Sequence, residues 1–220
     1  MFQKGMLELM AIGTVETFYM SLGSTALAYV IGLPLGLVMV VTDPAGIKPM
    51  PKLNKFLGVF INLLRSVPFL ILLMAVMPFT RAMVGTTIGA TAMIPPLVIS
   101  AFPFVARMVE SSVKEVDAGV VEAAQSMGAS TTQIILKVLL PEAKPSLLTG
   151  AAIATTTILG YSAMAGIVGG GGRGSIAINY GYYRRQTDIL WVMVIFLSLI
   201  VQLFQSIGEK AARRVDKRIR

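Results

Sequence analysis

The chain has 220 residues, 55 % hydrophobic and 14 % charged, with a mean hydropathy of +0.76, far more apolar than an average soluble domain. A formal charge of +8 would suit nucleic acid in a soluble protein, but the basic residues flank apolar runs and do not interleave with aromatic ones, which excludes a nucleic-acid groove and reads as a topology signal. Cysteine and histidine are absent; disulfides, thiolate metal sites, thiol nucleophiles and the commonest general base and metal ligand go with them, and most hydrolase and metalloenzyme chemistries too.

Five apolar runs follow one another, at 17–41, 57–79, 88–106, 146–168 and 189–207, each near the ~20 residues a bilayer crossing requires. Runs of that length must satisfy their backbone internally, so they are helices and not barrel strands. The expected fold class is all-α: a polytopic membrane protein with five transmembrane helices. Within the first run, Ala26-Leu27-Ala28 resembles a signal-peptide cleavage site, but the run continues uncharged through Val41 and is read as a span. Gly32 and Gly36, with Ala28 one turn earlier, form a small-residue face suited to helix contact. Glu16 sits at its outer mouth, where it is expected to reach water.

The connection 42–56, with Asp43-Pro44, Pro49 and Pro51, reads as a helix-breaking cytoplasmic link without chemistry of its own. In the second run Arg65 lies beside Asn62, Ser66 and Pro68. An intramembrane charge is a functional-site candidate by default, and a position in the inner third of the span also allows it to snorkel to the headgroups. The fourth run is rich in hydroxyls, at Thr155, Thr156, Thr157, Tyr161 and Ser162, with Met164 near its outer half. Thr157, Tyr161, Ser162 and Met164 are candidates for the lining of a path, Met164 as a flexible apolar gate meeting its copy on a dimer axis; ordinary helix packing explains them equally well. Between the fourth and fifth runs, 166–174 contains G-x-G-x-x-G at Gly169, Gly171 and Gly174. It joins two spans and lacks the strand and helix of a βαβ unit, so it is not read as a nucleotide site.

With five crossings the termini lie on opposite sides. One orientation leaves Lys48, Lys52, Lys55, the stretch 107–144 and the tail 210–220 in the cytoplasm, and only Lys4, Arg81, Arg173, Arg184 and Arg185 outside. The positive-inside bias therefore places the N-terminus outside and the C-terminus in the cytoplasm.

The stretch 117–141 is too polar in its first half to be a span. Asp117 can cap a short helix through Glu122, Ala123 and Ala124, and Gly128 can end it in the left-handed conformation. Ser130 and Gln133 fit a capping box for a second helix, which Pro141 is expected to stop. No G-x-x-x-x-G-K-[ST] occurs in the sequence, so a dependence on ATP would have to come from a partner.

Glu122-Ala123-Ala124, Gly128 and the later Val138-Leu139-Leu140-Pro141 resemble the cytoplasmic signature of the inner-membrane permeases of ABC importers. Val138 stands where that family usually has isoleucine, a conservative departure. The stretches 63–73 (L-L-R-S-V-P-F-L-I-L-L), 77–81 (M-P-F-T-R), 102–110 (F-P-F-V-A-R-M-V-E) and 160–164 (G-Y-S-A-M) resemble its methionine-import branch. The resemblance implies a type I permease fold, a single permease domain over 1–220, and an ATPase-coupling site at Glu122, Ala123, Ala124, Gly128, Leu140 and Pro141. It further implies a homodimer in the bacterial cytoplasmic membrane, two ATP-binding subunits that carry the ATP and magnesium, and an extracytoplasmic binding protein. The chain itself would then be a non-catalytic transport subunit with no cofactor or metal, touching lipid and no nucleic acid. The function implied is import of methionine; the alternatives are another small solute carried by the same kind of importer, or an ion-coupled secondary transporter. The last usually needs charges near the bilayer midplane and repeated broken helices, and neither is legible here. An amphipathic helix anchored on the headgroups is the plainer account of 117–141, but such helices are basic on their polar face and this one carries Asp117, Glu122 and Gln125.

Overall fold

The structure, a computed structural model, describes residues 4–216; residues 217–220 of the basic tail lie outside the described residues. All regular structure among the described residues is helical. In chain order it comprises α1 (Lys4–Thr42), α2 (Pro51–Ser66), α3 (Phe69–Val84), α4 (Ala90–Lys114), α5 (Ala118–Ser126), α6 (Thr131–Ile134), a π turn (Ile135–Leu139) and α7 (Leu140–Met164). A 3-10 turn (Ala165–Val168), α8 (Gly172–Ile176), a π segment (Ala177–Tyr183) and α9 (Thr187–Val215) complete it.

The helices overrun the apolar runs that seeded them. α1 begins at Lys4 and not at Thr17, α4 continues past Ala106 to Lys114, and α9 extends to Val215. Hydropathy marks what lipid can cover, whereas a helix persists into water as long as its backbone remains paired. The second run departs more: it is not one helix. α2 stops at Ser66, the chain bends sharply, and α3 starts after Pro68, whose carbonyl accepts from Ile71 and Leu72 at 3.0 Å each. Proline has no N–H for the ladder and pushes the residue before it, Val67, out of helical geometry. At 16 residues each the two pieces are about 24 Å long, shorter than a hydrocarbon core of ~30 Å. Among the described residues four helical runs are long and apolar enough to cross a bilayer, and α2 with α3 supplies a fifth when the pair is one broken span.

The chain divides into two compact units. One gathers the chain through Leu27, Val67–Ala101 and Ala154–Gln205. Part of its core is Met10, Ile176, Ile189 and Met193. The glycine-rich link folds inward here. Gly172 N–H donates to the Glu16 carboxylate at 2.6 Å, Arg173 N–H to Thr17 Oγ1 at 2.9 Å, and the Arg173 side chain to Thr14 Oγ1 at 2.8 Å. The Arg173 guanidinium stacks 3.4 Å from the centre of the Phe196 ring, an arrangement that offsets part of the cost of burying the charge. Glu16 thus holds the link and is not simply turned to water.

The other unit holds Ala28–Ser66, Phe102–Ile153 and the chain from Ser206. In it α1 lies close against α4: a Cβ added to Gly36 would stand 2.6 Å from the Ala106 carbonyl oxygen, and one added to Gly32 would stand 2.7 Å from Val105. The small-residue face is therefore a helix contact. Met39, Ile61 and Ala106 form a buried cluster flanked by Leu35 and Leu57. The connection from α1 to α2 is a compact turn: Gly46 donates to Asp43 O, Lys48 to Val41 O, Met50 to Thr42 O, and the Asn54 amide to Met39 O.

Candidate functional site

The segment after α4 is built from local signals that each find their partner. Asp117 caps α5, its carboxylate accepting from Gly119 N–H at 2.7 Å. At the other end Ala129 N–H reaches Ala124 O at 3.1 Å and Gly128 N–H reaches Gln125 O at 2.9 Å. These are the paired bonds of a Schellman stop, and Gly128 supplies its left-handed residue with φ +79°. Ser130 then opens α6 with the capping box the sequence proposed: its N–H donates to Gln133 Oε1 at 2.8 Å, and Gln133 N–H returns to Ser130 Oγ at 3.4 Å.

Pro141 does not stop this second helix. A π turn over Ile135–Leu139 precedes it, with Leu140 N–H bonded back to Ile135 O, and the helix continues as α7 to Met164. A proline N has no hydrogen to give the ladder, and here the widened turn lies just before it.

Ala124, Ile134 and Leu139 are buried and anchor the segment. Glu122, Ala123, Gln125 and Gly128 are exposed, and Met127 is 82 % exposed. No basic residue occurs in α5, which suits a protein surface better than anionic lipid. Glu122 and Gln125 edge a cleft of about 220 Å³ whose other walls include Ala45, Gly46, Ile47, Val113 and Lys114. Lys114 Nζ bonds Asp43 at 2.9 Å and Glu110 at 2.9 Å, and Arg107 bonds Glu110 at 2.7 Å. The Lys114 ammonium, and after it the Ala45 N–H, hold the Asp43 carboxyl below the usual carboxylate range.

The other sequence candidates scatter. Arg65 is exposed in the last turn of α2. Tyr161 stacks flat on Phe69, centroids 4.6 Å apart. Ser162 is buried, its hydroxyl on Leu159 O at 2.8 Å and 3.4 Å from Ser21 Oγ. Thr157 is half-buried, while Met164 ends α7 and is 47 % exposed. The four thus do not share one open face. Sequence reasoning passed over Arg107, Glu110 and Lys114, although their i, i+3, i+7 spacing at the end of a span is a readable pattern for one helix face.

Residues 32–220 match the family model described as binding-protein-dependent transport system inner membrane component. The chain belongs to this family. A Vibrio cholerae protein named probable D-methionine transport system permease protein MetI is 49 % identical over 96 % of this chain and 94 % of its own length. The methionine import system permease protein MetP of Bacillus subtilis is 42 % identical over 93 % of this chain and 92 % of its own. The solved inward-facing MetNI methionine ABC transporter, native crystal form, superposes with a TM-score of 0.97 at 42 % identity, over 98 % of this chain and 100 % of that one. As a family member the chain is the permease subunit of an ABC importer, with the type I permease fold, and not an enzyme.

Proposed function

We propose that two copies of this chain form the path by which methionine crosses the bacterial cytoplasmic membrane, driven by two copies of a separate ATPase that bind ATP and magnesium and fed by an extracytoplasmic binding protein. The substrate is carried over from the relatives named above. The observation that supports the coupling is the exposed, doubly capped α5 with its turn at Gly128. Alanine at 123 lets a partner backbone approach, Glu122 offers a carboxylate to a basic or amide group at the rim, the buried Ala124 anchors the segment, and the half-buried Leu140 and exposed Pro141 open the helix that returns to the membrane. ATP-driven closure of the ATPase pair would draw the two segments together and shift the spans between inward and outward states, each of which binds substrate differently. In this reading α5 is cytoplasmic, the N-terminus is outside and the C-terminus inside, and Met164 of each copy closes the path.

Purification in mild detergent should bring an ATPase subunit with the chain, and loss of that subunit would remove the coupling role of α5. In vesicles holding the complex, D- and L-methionine should compete for uptake while unrelated amino acids do not; competition by any small solute would remove the substrate. Met164→Ala in the same vesicles should let methionine leak without ATP, and an unchanged leak would take Met164 out of the gate.

A further inference from the structure

One polar cluster lies outside the segment just described. Glu110 is a buried carboxylate, its side chain 10 % exposed, and a charge so placed must be paired to persist. Its two oxygens take different cations: Oε2 accepts from Arg107 Nη1 at 2.7 Å, and Oε1 from Lys114 Nζ at 2.9 Å. Each cation then reaches a different segment. Arg107 Nη2 donates to Asn62 Oδ1 at 3.0 Å and to Gly58 O at 3.2 Å, both on α2. Lys114 donates to Asp43 Oδ2 at 2.9 Å, in the turn joining α1 to α2.

Lys114 is also the last residue of α4, and Asp117, the cap of α5, follows three residues later. It stands on the wall of the cleft that Glu122 and Gln125 edge, as do Ala45, Gly46 and Ile47 of the α1–α2 turn. The cluster therefore runs from the foot of α5 to the middle of α2. Because α1 is seated on α4 through Gly32 and Gly36, and α2 on both through Met39, Ile61 and Ala106, a displacement at α5 has a connected, closely packed and ion-paired route to α2.

We propose that Glu110 is a positioning residue for transport, clasping Arg107 and Lys114 so that movement of α5 is passed to α2 and the α1–α2 turn. The proposal rests on the reading that α5 meets an ATPase. If the clasp is opened, the ATPase can still engage α5 and turn over, but its cycle moves the spans less.

The test is the ratio of methionine taken up to ATP hydrolysed, in vesicles holding the complete complex with its binding protein. Glu110→Gln and Lys114→Met should each lower that ratio by at least about fivefold, the low end of ordinary coupling effects, while ATP hydrolysis persists. Lys114→Arg keeps both ion pairs and should restore the ratio to near the parent value. Should Glu110→Gln fail to assemble, Asp43→Asn, at the exposed end of the cluster, should still lower the ratio. Variants that keep the parent ratio, or that lose uptake and hydrolysis in equal proportion, would overturn the proposal. Gly128→Val separates the two readings. If it transports normally, the ATPase-docking reading itself fails; if it abolishes uptake while the clasp variants keep the parent ratio, only the clasp fails.

Discussion

At Gly128 the backbone has φ +79°, and a Cβ added there would meet nothing within 4 Å. A side chain at this position is penalised by conformation and not by collision within the chain. For an L-residue the left-handed region costs about 1–2 kcal/mol, more when the side chain is β-branched. Gly128→Ala is therefore expected to keep reduced uptake, and Gly128→Val to abolish it with the protein still present in the membrane, measured as cellular methionine uptake against membrane-fraction abundance. Full uptake by the valine variant would show that the turn is not where the ATPase docks. Arg65 and Arg107 make the complementary case. Arg65 attracted notice as a charge inside a hydropathy window, yet it ends a short helix and stays exposed. Arg107, just past the edge of its window, is the one whose charge is engaged, because α4 runs on beyond the apolar run and carries it beside Glu110.

Elements that depend on neighbours in sequence were legible; those that depend on chemistry across the fold were not. The Asp117 cap, the Gly128 stop and the Ser130–Gln133 box each use partners two to five residues apart, so residue type and spacing sufficed. The stop at Pro141 was misread because a proline removes one bond from the ladder without having to end the helix: Pro34, Pro78 and Pro145 also lie inside helices, and Ile134 and Leu139 are buried on the turns before Pro141. The α1–α2 turn looked inert because Asp43 finds Lys114 only in space, 71 positions along the chain. That pair makes a pH prediction. A carboxyl held below its ordinary range adds stability that is fully present above its unfolded pKa of about 3.9, and that is lost as pH falls through the lower folded value. The gap in thermal unfolding temperature between the parent and Asp43→Asn, in detergent, should stay constant from pH 8 to about 5 and narrow below about 4. A gap that widens on acidification would remove Asp43 from the cluster.

For the whole molecule the number of crossings turns on α2 and α3. If the pair crosses once, five crossings put the termini on opposite sides; if it dips in and returns, four crossings put them on the same side. The charges favour the first. A single crossing by the pair puts Lys48, Lys52, Lys55, the basic residues of 107–144 and Lys210, Arg213 and Arg214 on one side, and only Lys4, Arg81, Arg173, Arg184 and Arg185 of the described loop and terminal residues on the other, an asymmetry in the sense of the positive-inside bias. Because the sequence has no cysteine, single cysteines can be introduced without background and labelled in intact cells with a maleimide that cannot cross the membrane. Met50, Thr86, Tyr182 and Lys210 are all exposed and lie in or beside turns or in the last helix. A single crossing by α2 and α3 requires Thr86→Cys and Tyr182→Cys to label from outside, and Met50→Cys and Lys210→Cys to label only after the membrane is opened. If Thr86→Cys is instead protected together with Met50→Cys, the sharp bend at Pro68 turns the chain back, and the N-terminus and C-terminus share a side.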